Sequence, residues 1–193
     1  MGFAMLPIPP LLELTMFDVV IGDSIAYQAR LVALWWDARV IPERHDVDLK
    51  SSLQDLPENP GIYAVTGRHD ASAGERVLYI GQATDLSSRV VASVKDCLFE
   101  QHHGGQRLLF SDIWNLTVRW ARLAEPLIDS TERVLIMSHS PPFNSQIVRR
   151  TQPRPDEHDL LIMNAGRKGP LLPLASGAYQ AWGWRNREGL ITP

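Results

Sequence analysis

The chain has 193 residues, 45% hydrophobic and 21% charged, which suits one compact domain with modest extensions and excludes disorder as its main state. With 19 basic residues against 22 acidic ones, bulk electrostatic attraction for nucleic acid is excluded, and any such binding must come from a local patch. The single cysteine, Cys97, excludes an internal disulfide and a thiolate metal cluster, and no run reaches the roughly 18 uninterrupted apolar residues of a membrane helix. The apolar start lacks a basic region and is broken by Pro7, Pro9 and Pro10, so the expectation is a cytoplasmic chain with no membrane segment.

Charge is uneven along the chain. Residues 1–60 hold nine acids and four bases, and residues 61–193 thirteen acids and fifteen bases, so the first third is a poor surface for a phosphate backbone. Within it, Asp23 and Ser24 offer a cap for a helix over 24–36, with Ile25, Leu31, Leu34 and Trp35 near one stripe. Pro42 ends that pattern, and 43–55 read as a second short helix or a connection before the Pro57-Glu58-Asn59-Pro60 turn cluster.

After Pro60 the composition becomes β-prone. Residues 61–65 and 76–81 read as two strands of a hairpin joined by a long polar loop, which sets Tyr63 and Tyr79 on neighbouring strands. Thr84 or Asp85 caps a helix to about residue 101, with Leu86, Val90, Val94 and Cys97 or Leu98 inward. Residues 113–123 alternate, with Leu116, Val118 and Trp120 on one face and Asn115, Thr117, Arg119 and Ala121 on the other, as in a half-solvated third strand. Pro126 opens a helix over 127–138 in a position that tolerates the missing N–H, its apolar stripe being Leu127, Ile128, Leu135 and Ile136. From Ser145 onward the pattern is less regular, with Arg149, Arg150 and Arg154 uninterrupted by an acid. The order β-β-α-β-α predicts an α+β protein: a three-stranded antiparallel sheet flanked by helices over 57–148, an N-terminal helical arm over 1–56 and a C-terminal extension over 149–193.

The two glycine-bracketed strands, Gly61-Ile62-Tyr63 and Tyr79-Ile80-Gly81, resemble the hallmark of the GIY-YIG nuclease family. Leu86 and Arg89 continue it in the family's YIGxxxxLxxR pattern, Glu132 matches its helical glutamate, and Asn144 in Pro141-Pro142-Phe143-Asn144 matches its closing asparagine. Two departures stand out. Tyr63 and Tyr79 are sixteen residues apart, longer than the family's usual loop, and Ser93 occupies the position one helical turn after Arg89 where several members carry histidine. His102 and His103 are the nearby substitutes, but an adjacent pair beside Gly104-Gly105 reads as a helix C-terminal cap rather than a metal ligand.

The resemblance implies a metal-dependent endonuclease that hydrolyses DNA phosphodiester bonds, with Tyr63, Tyr79, Arg89, Glu132 and Asn144 at the catalytic site. Phosphodiester hydrolysis needs an activated water, neutralisation of charge on the phosphoryl oxygens and stabilisation of the departing oxygen. Glu132, a hard oxygen ligand on a helix, suits one Mg²⁺ or Mn²⁺; Arg89 offers a fixed fork of donors to a phosphate; Tyr63 orients or deprotonates the water, Tyr79 holds or tunes it, and Asn144 hydrogen-bonds backbone. A tyrosine base needs a neighbouring cation, since an unperturbed phenol with its pKa of about 10 is protonated at pH 7. The flanking arms look most like free-standing restriction-type members, which cut duplex DNA as dimers, so double-stranded DNA and a second copy of the chain are the expected partners. Arg149, Arg150, Arg154, Arg167 and Lys168 are candidate phosphate contacts, each with a rival reading as solvated loop charge.

Bland rivals accompany every site residue. Strand tyrosines are ordinarily packing, and Arg89 has Asp85 four residues before it as an ion-pair partner. Two other classes of function stay open: a non-catalytic nucleic-acid-binding module with the same fold, and an interaction protein built on the Trp35-Trp36 and Trp182-Gly183-Trp184 clusters.

Overall fold

A computed structural model describes residues 15–21, 24–41, 53–68, 73–98, 113–144 and 154–178. Among them run seven strands and two helices: β1 (Thr15–Ile21), β2 (Ser24–Val40), β3 (Gly61–Arg68), β4 (Arg76–Ala83), α1 (Leu86–Leu98), β5 (Trp114–Arg122), α2 (Glu125–His139), β6 (Leu160–Gly166) and β7 (Leu174–Ser176). The strands join in the order β4-β3-β5-β2-β6-β7, with β1 paired to β2. The α+β class holds, but the sheet is seven-stranded rather than three-stranded.

The helix expected over 24–36 is instead β2, the longest strand. It pairs antiparallel with β1, parallel with β6 through 30–36 and antiparallel with β5 through 37–40. Val32, Leu34 and Trp36 point into the core while Trp35 is 58% exposed, a period of two. Local sequence hides that period because Leu31, Ala33 and Trp35 on the other face are also apolar. Pairing with two distant strands outweighs the weak helical stripe. Arg30 forks onto Asp159, with Nε at 2.6 Å from one carboxylate oxygen and Nη2 at 2.9 Å from the other, and ties β2 to the start of β6. Inside, the Trp36 indole N–H donates to Asn164 Oδ1 at 2.8 Å, and Asn164 Nδ2 donates to the Leu172 carbonyl at 2.8 Å. Residues 43–52 of the expected second helix or connection lie outside the described residues, and 53–55 form a turn.

Two further expectations change. The third strand, β5, is covered on both faces rather than half-solvated, because Leu116, Val118 and Trp120 enter the core on one side of the sheet and Ala121 the core on the other. Its one buried cation, Arg119, is fully engaged: Nη2 meets Glu75 Oε1 at 2.6 Å, Nε donates to Thr66 Oγ1 at 3.2 Å and Nη1 to the Arg167 carbonyl at 2.6 Å. The C-terminal stretch read as irregular supplies β6 and β7, and Leu160 and Ile162 of β6 enter the core.

Alternating side chains of the sheet build a core on each face. On the α2 side, Ile62, Ala64 and Ile80 pack with Leu135, Ile136 and Ile162. On the α1 side, Tyr63, Val65 and Leu78 pack with Leu86, Val90 and Val94. Asp85 caps α1, its Oδ1 accepting the backbone N–H of Ser87 at 2.9 Å. The edge strand β4 is thereby flanked by the start of α1 on one side and by α2 on the other. Since Trp36 is wholly buried and hydrogen-bonded, Trp36→Ala is expected to cost about 3–5 kcal/mol, measured by denaturant unfolding.

Candidate active site

The register of the hairpin explains why glycine and tyrosine alternate in its two blocks. Tyr63 on β3 lies directly opposite Gly81 on β4. A Cβ on Gly81 would fall 2.5 Å from Tyr63 Cζ and 2.6 Å from its hydroxyl oxygen, so the phenol crosses the bare Cα at a distance only glycine allows. The Tyr63 hydroxyl then reaches α1, where it meets Ser93 Oγ at 2.9 Å. Tyr79 stands beside it, ring centroids 5.9 Å apart at 40°. Tyr63 is wholly buried and Tyr79 half-buried, so Tyr79 is the more accessible of the two.

A cleft of about 640 Å³ opens between the start of α1 and the first turns of α2, lined by Thr84, Asp85, Ser88, Arg89, Glu125 and Asp129 among others. The rival ion pair between Arg89 and Asp85 does not form. Asp85 spends its carboxylate on the Ser87 hydroxyl at 2.7 Å and the Ser88 hydroxyl at 2.8 Å, which lower its pKa, and the exposed Arg89 guanidinium is left beside the cleft.

Glu132 is 9% exposed and comes from the second turn of α2. Burial, reinforced by the neighbouring Asp129, raises its pKa to about 7, against the opposing effects of a hydrogen bond from the Gln82 backbone and the charges of Arg133 and Arg89. Burial also raises the Tyr79 pKa, helped by the charge of Tyr63, a hydroxyl–hydroxyl interaction with Tyr63 and the charge of Glu132; Arg89 opposes it. These mutual influences show that Tyr63, Tyr79, Arg89 and Glu132 share one neighbourhood. Asn144 completes it by bonding both backbone groups of Ile80: its Oδ1 accepts the N–H at 2.8 Å and its Nδ2 donates to the carbonyl at 2.8 Å. One carboxamide thus stands in for a missing strand at the outer edge of β4.

The candidate phosphate contacts do not gather there as a group. Arg154 pairs with Asp129 on the exposed side of α2, and its backbone N–H donates to Glu157 at 2.8 Å. Lys168 folds back onto the Leu171 carbonyl at 2.8 Å, and Arg167 is exposed on the turn after β6, with three strands between β6 and β4. Arg149, Arg150, His102, His103 and the Trp182-Gly183-Trp184 cluster lie outside the described residues. Sequence reasoning passed over Asp129 and the Ser93 hydroxyl. Asp129 carried a usable signal, its place three residues before Glu132 on the same helix.

A divalent cation fits this donor set. Among the described residues no three His, Cys, Asp or Glu side chains cluster as ligands. Glu132 nevertheless offers a buried carboxylate short of counter-charge beside an open cleft, which suits a small hard cation that keeps several waters.

No family model matches the sequence. Among curated proteins it is similar to the UvrABC system protein C of two Anaeromyxobacter dehalogenans strains, 2CP-1 / ATCC BAA-258 and 2CP-C, at 30% identity over 132 residues in each. The match covers 65% of this chain and 16% of those relatives' own length. Among solved structures it is similar to two point mutants of the GIY-YIG N-terminal endonuclease domain of UvrC from Thermotoga maritima, each bound to its catalytic divalent cation. Identities are 21% and 22%, coverage is 52% of this chain and 98% of the other, and the TM-score is 0.34.

Gly81→Ala forces its methyl into the Tyr63 ring and is expected to destabilise the chain by about 1–3 kcal/mol, read by thermal and denaturant unfolding. Glu132 yields a pH-dependent prediction. The folded chain holds its proton up to about pH 7 and the unfolded chain only to its ordinary 4.5, so stability from this group falls as the pH rises between those values. In EDTA, Glu132→Gln is expected to melt about 3 °C above wild type at pH 8, the change that 1 kcal/mol makes in a chain of this size, and the gap closes towards pH 4.5.

Proposed function

We propose that the chain is a metal-dependent endonuclease hydrolysing DNA phosphodiester bonds, its metal Mg²⁺ or Mn²⁺ held by Glu132. The observation that carries this reading is the convergence of a tyrosine pair, an arginine with no ion pair among the described residues and a buried carboxylate on one edge of β4 beside an open cleft. The motif spacing in the sequence and the 30% identity with the UvrABC system protein C support it.

Arg89 places a permanent positive charge where a phosphate enters the cleft and favours the charge that builds on the phosphoryl oxygens. Tyr79, whose raised pKa keeps it protonated at working pH, orients a water as a hydrogen-bond partner, with Tyr63 behind it. Asn144 fixes the Ile80 backbone and with it the position of Tyr79. Bound at Glu132, a divalent cation supplies charge neutralisation to the phosphate and the leaving oxygen. Asp129 raises the proton affinity of Glu132, and on the exposed side of α2 it pairs with Arg154, a candidate contact for a second phosphate. The finer reading, a site-specific restriction-type enzyme acting as a homodimer on double-stranded DNA, rests on one active site per chain for two strands and on the extensions around the motif-bearing segment.

Incubation of the purified chain with supercoiled plasmid is expected to give cut products with Mg²⁺ and none with EDTA. Glu132→Gln abolishes cutting, and Arg89→Ala lowers it about 100- to 1000-fold. DNA retardation in a gel without cutting under any metal favours the binding-module reading instead, and end mapping of discrete fragments tests site specificity.

A further inference from the structure

The cleft read as the entry of a phosphate is lined by three carboxylates, Asp85, Glu125 and Asp129, and by one arginine, Arg89. Such a lining repels a phosphate unless its acids are engaged elsewhere. Asp129 is paired with Arg154, and Glu125 stands exposed in the first turn of α2. Asp85 is the acid most able to capture Arg89, because it lies four residues earlier at the start of the same helix, the spacing of an ion pair. Among the described residues it bonds two serines instead. Its Oδ1 accepts the Ser87 backbone N–H at 2.9 Å, the Ser87 hydroxyl at 2.7 Å and the Ser88 backbone N–H at 3.4 Å, and its Oδ2 accepts the Ser88 hydroxyl at 2.8 Å. Four donors thus meet a group with about four acceptor sites. The backbone bonds belong to any capping aspartate. The hydroxyl bonds exist only because residues 87 and 88 are both serine.

We propose that Ser87 and Ser88 are positioning residues for Arg89: their hydroxyls hold the Asp85 carboxylate against the first turn of α1, and the Arg89 guanidinium stays open to a phosphate entering the cleft. The physical reason is competition for one cation. Without the Ser88 hydroxyl, Oδ2 of Asp85 keeps no donor among the described residues, and the first basic side chain along α1 is Arg89, one turn on. A phosphate then has to displace the carboxylate before it reaches the guanidinium. That displacement weakens the ground state and the transition state alike, so it raises KM and leaves kcat in place. The serines act through Asp85 and Arg89, and their contribution is the direction in which one carboxylate is held.

The proposal rests on the nuclease reading, and two measurements keep their failures apart. The first is a cycle in plasmid cutting with Mg²⁺, comparing Ser87→Ala/Ser88→Ala, Asp85→Asn and the three substitutions combined. The serine variant is expected to raise KM about two- to fivefold at unchanged kcat, the size of an exposed ion pair. Added salt screens that pair and brings KM back towards wild type. With Asp85→Asn the cap persists and the charge is gone, so the serine substitutions change KM no further. The second measurement follows the Arg89 Nε–H by NMR in the chain without DNA: its exchange with water slows in Ser87→Ala/Ser88→Ala and returns to the wild-type rate when Asp85→Asn is added. An equal rise in KM with and without Asp85→Asn overturns the proposal, as does a folded serine variant whose KM and Arg89 exchange match wild type. Slowed exchange in a chain that neither cuts nor binds plasmid upholds the hold on Asp85 and overturns the nuclease reading alone. Ser88→Ala by itself, at an exposed position, is read by the same pattern where the paired substitution impairs folding.

Discussion

Where β3 and β4 set Tyr63 opposite Gly81, the phenol ring already fills the space a methyl group would need. That contact decides much of what surrounds it. A side chain at residue 81 would lift the ring off the sheet and carry its hydroxyl away from Ser93, and α1 would lose the packing of Leu86 and Val90 around the same ring. Tyr79, two residues before Gly81, is held beside Tyr63 by the same hairpin register. The tyrosine pair is thus a product of strand pairing, with steric exclusion on one side and hydrogen bonding on the other.

The second organising effect is desolvation. α2 directs Glu132 at the backbone of Gln82 rather than at water, and the resulting burial makes its negative charge costly. In a structural carboxylate such a cost is met by an ion pair, as Glu157 shows: it is wholly buried yet bonded to Arg133 and to the Arg154 backbone. Among the described residues Glu132 makes no such ion pair: the Gln82 backbone and the charges of Arg133 and Arg89 offset its burial only in part, and Asp129 adds to the cost. A carboxylate kept short of counter-charge next to an open cleft has the electrostatics of a ligand waiting for a cation.

The strands outside the motif serve this geometry at a distance. β2, β6 and β7 extend the sheet on the side away from β4, and α2 packs across them through Val134, Leu135 and Ile136 against Leu160 and Ile162. The axis of α2, and with it the position of Glu132, is therefore set partly by residues far along the chain. The turn at 154–157 adds a lock, with Glu157 gripping Arg133 and Arg154 gripping Asp129 on the two sides of Glu132.

The sequence by itself determined the local pieces around the site: the two β-prone blocks, the capped helix carrying Arg89, the Pro126 helix carrying Glu132 and the asparagine after the proline turn. Each is written within a few residues, as glycine spacing, a capping aspartate or a helix-opening proline. What only the tertiary structure decided depends on residues distant in the chain. Residues 24–36 became a strand because β5 and β6 offered it partners, and its apolar outer face concealed the alternation. β5 became buried on both faces because a core forms on each side of the sheet, and Arg119 reads as a solvated residue until Glu75, Thr66 and Arg167 close around it. Ser93 looked like the loss of a histidine, and only the folded position of Tyr63, 30 residues earlier, gives its hydroxyl a partner. Local signals reside in short-range backbone preference, whereas strand partners, desolvation and hydrogen-bond partners exist only once the chain has closed on itself.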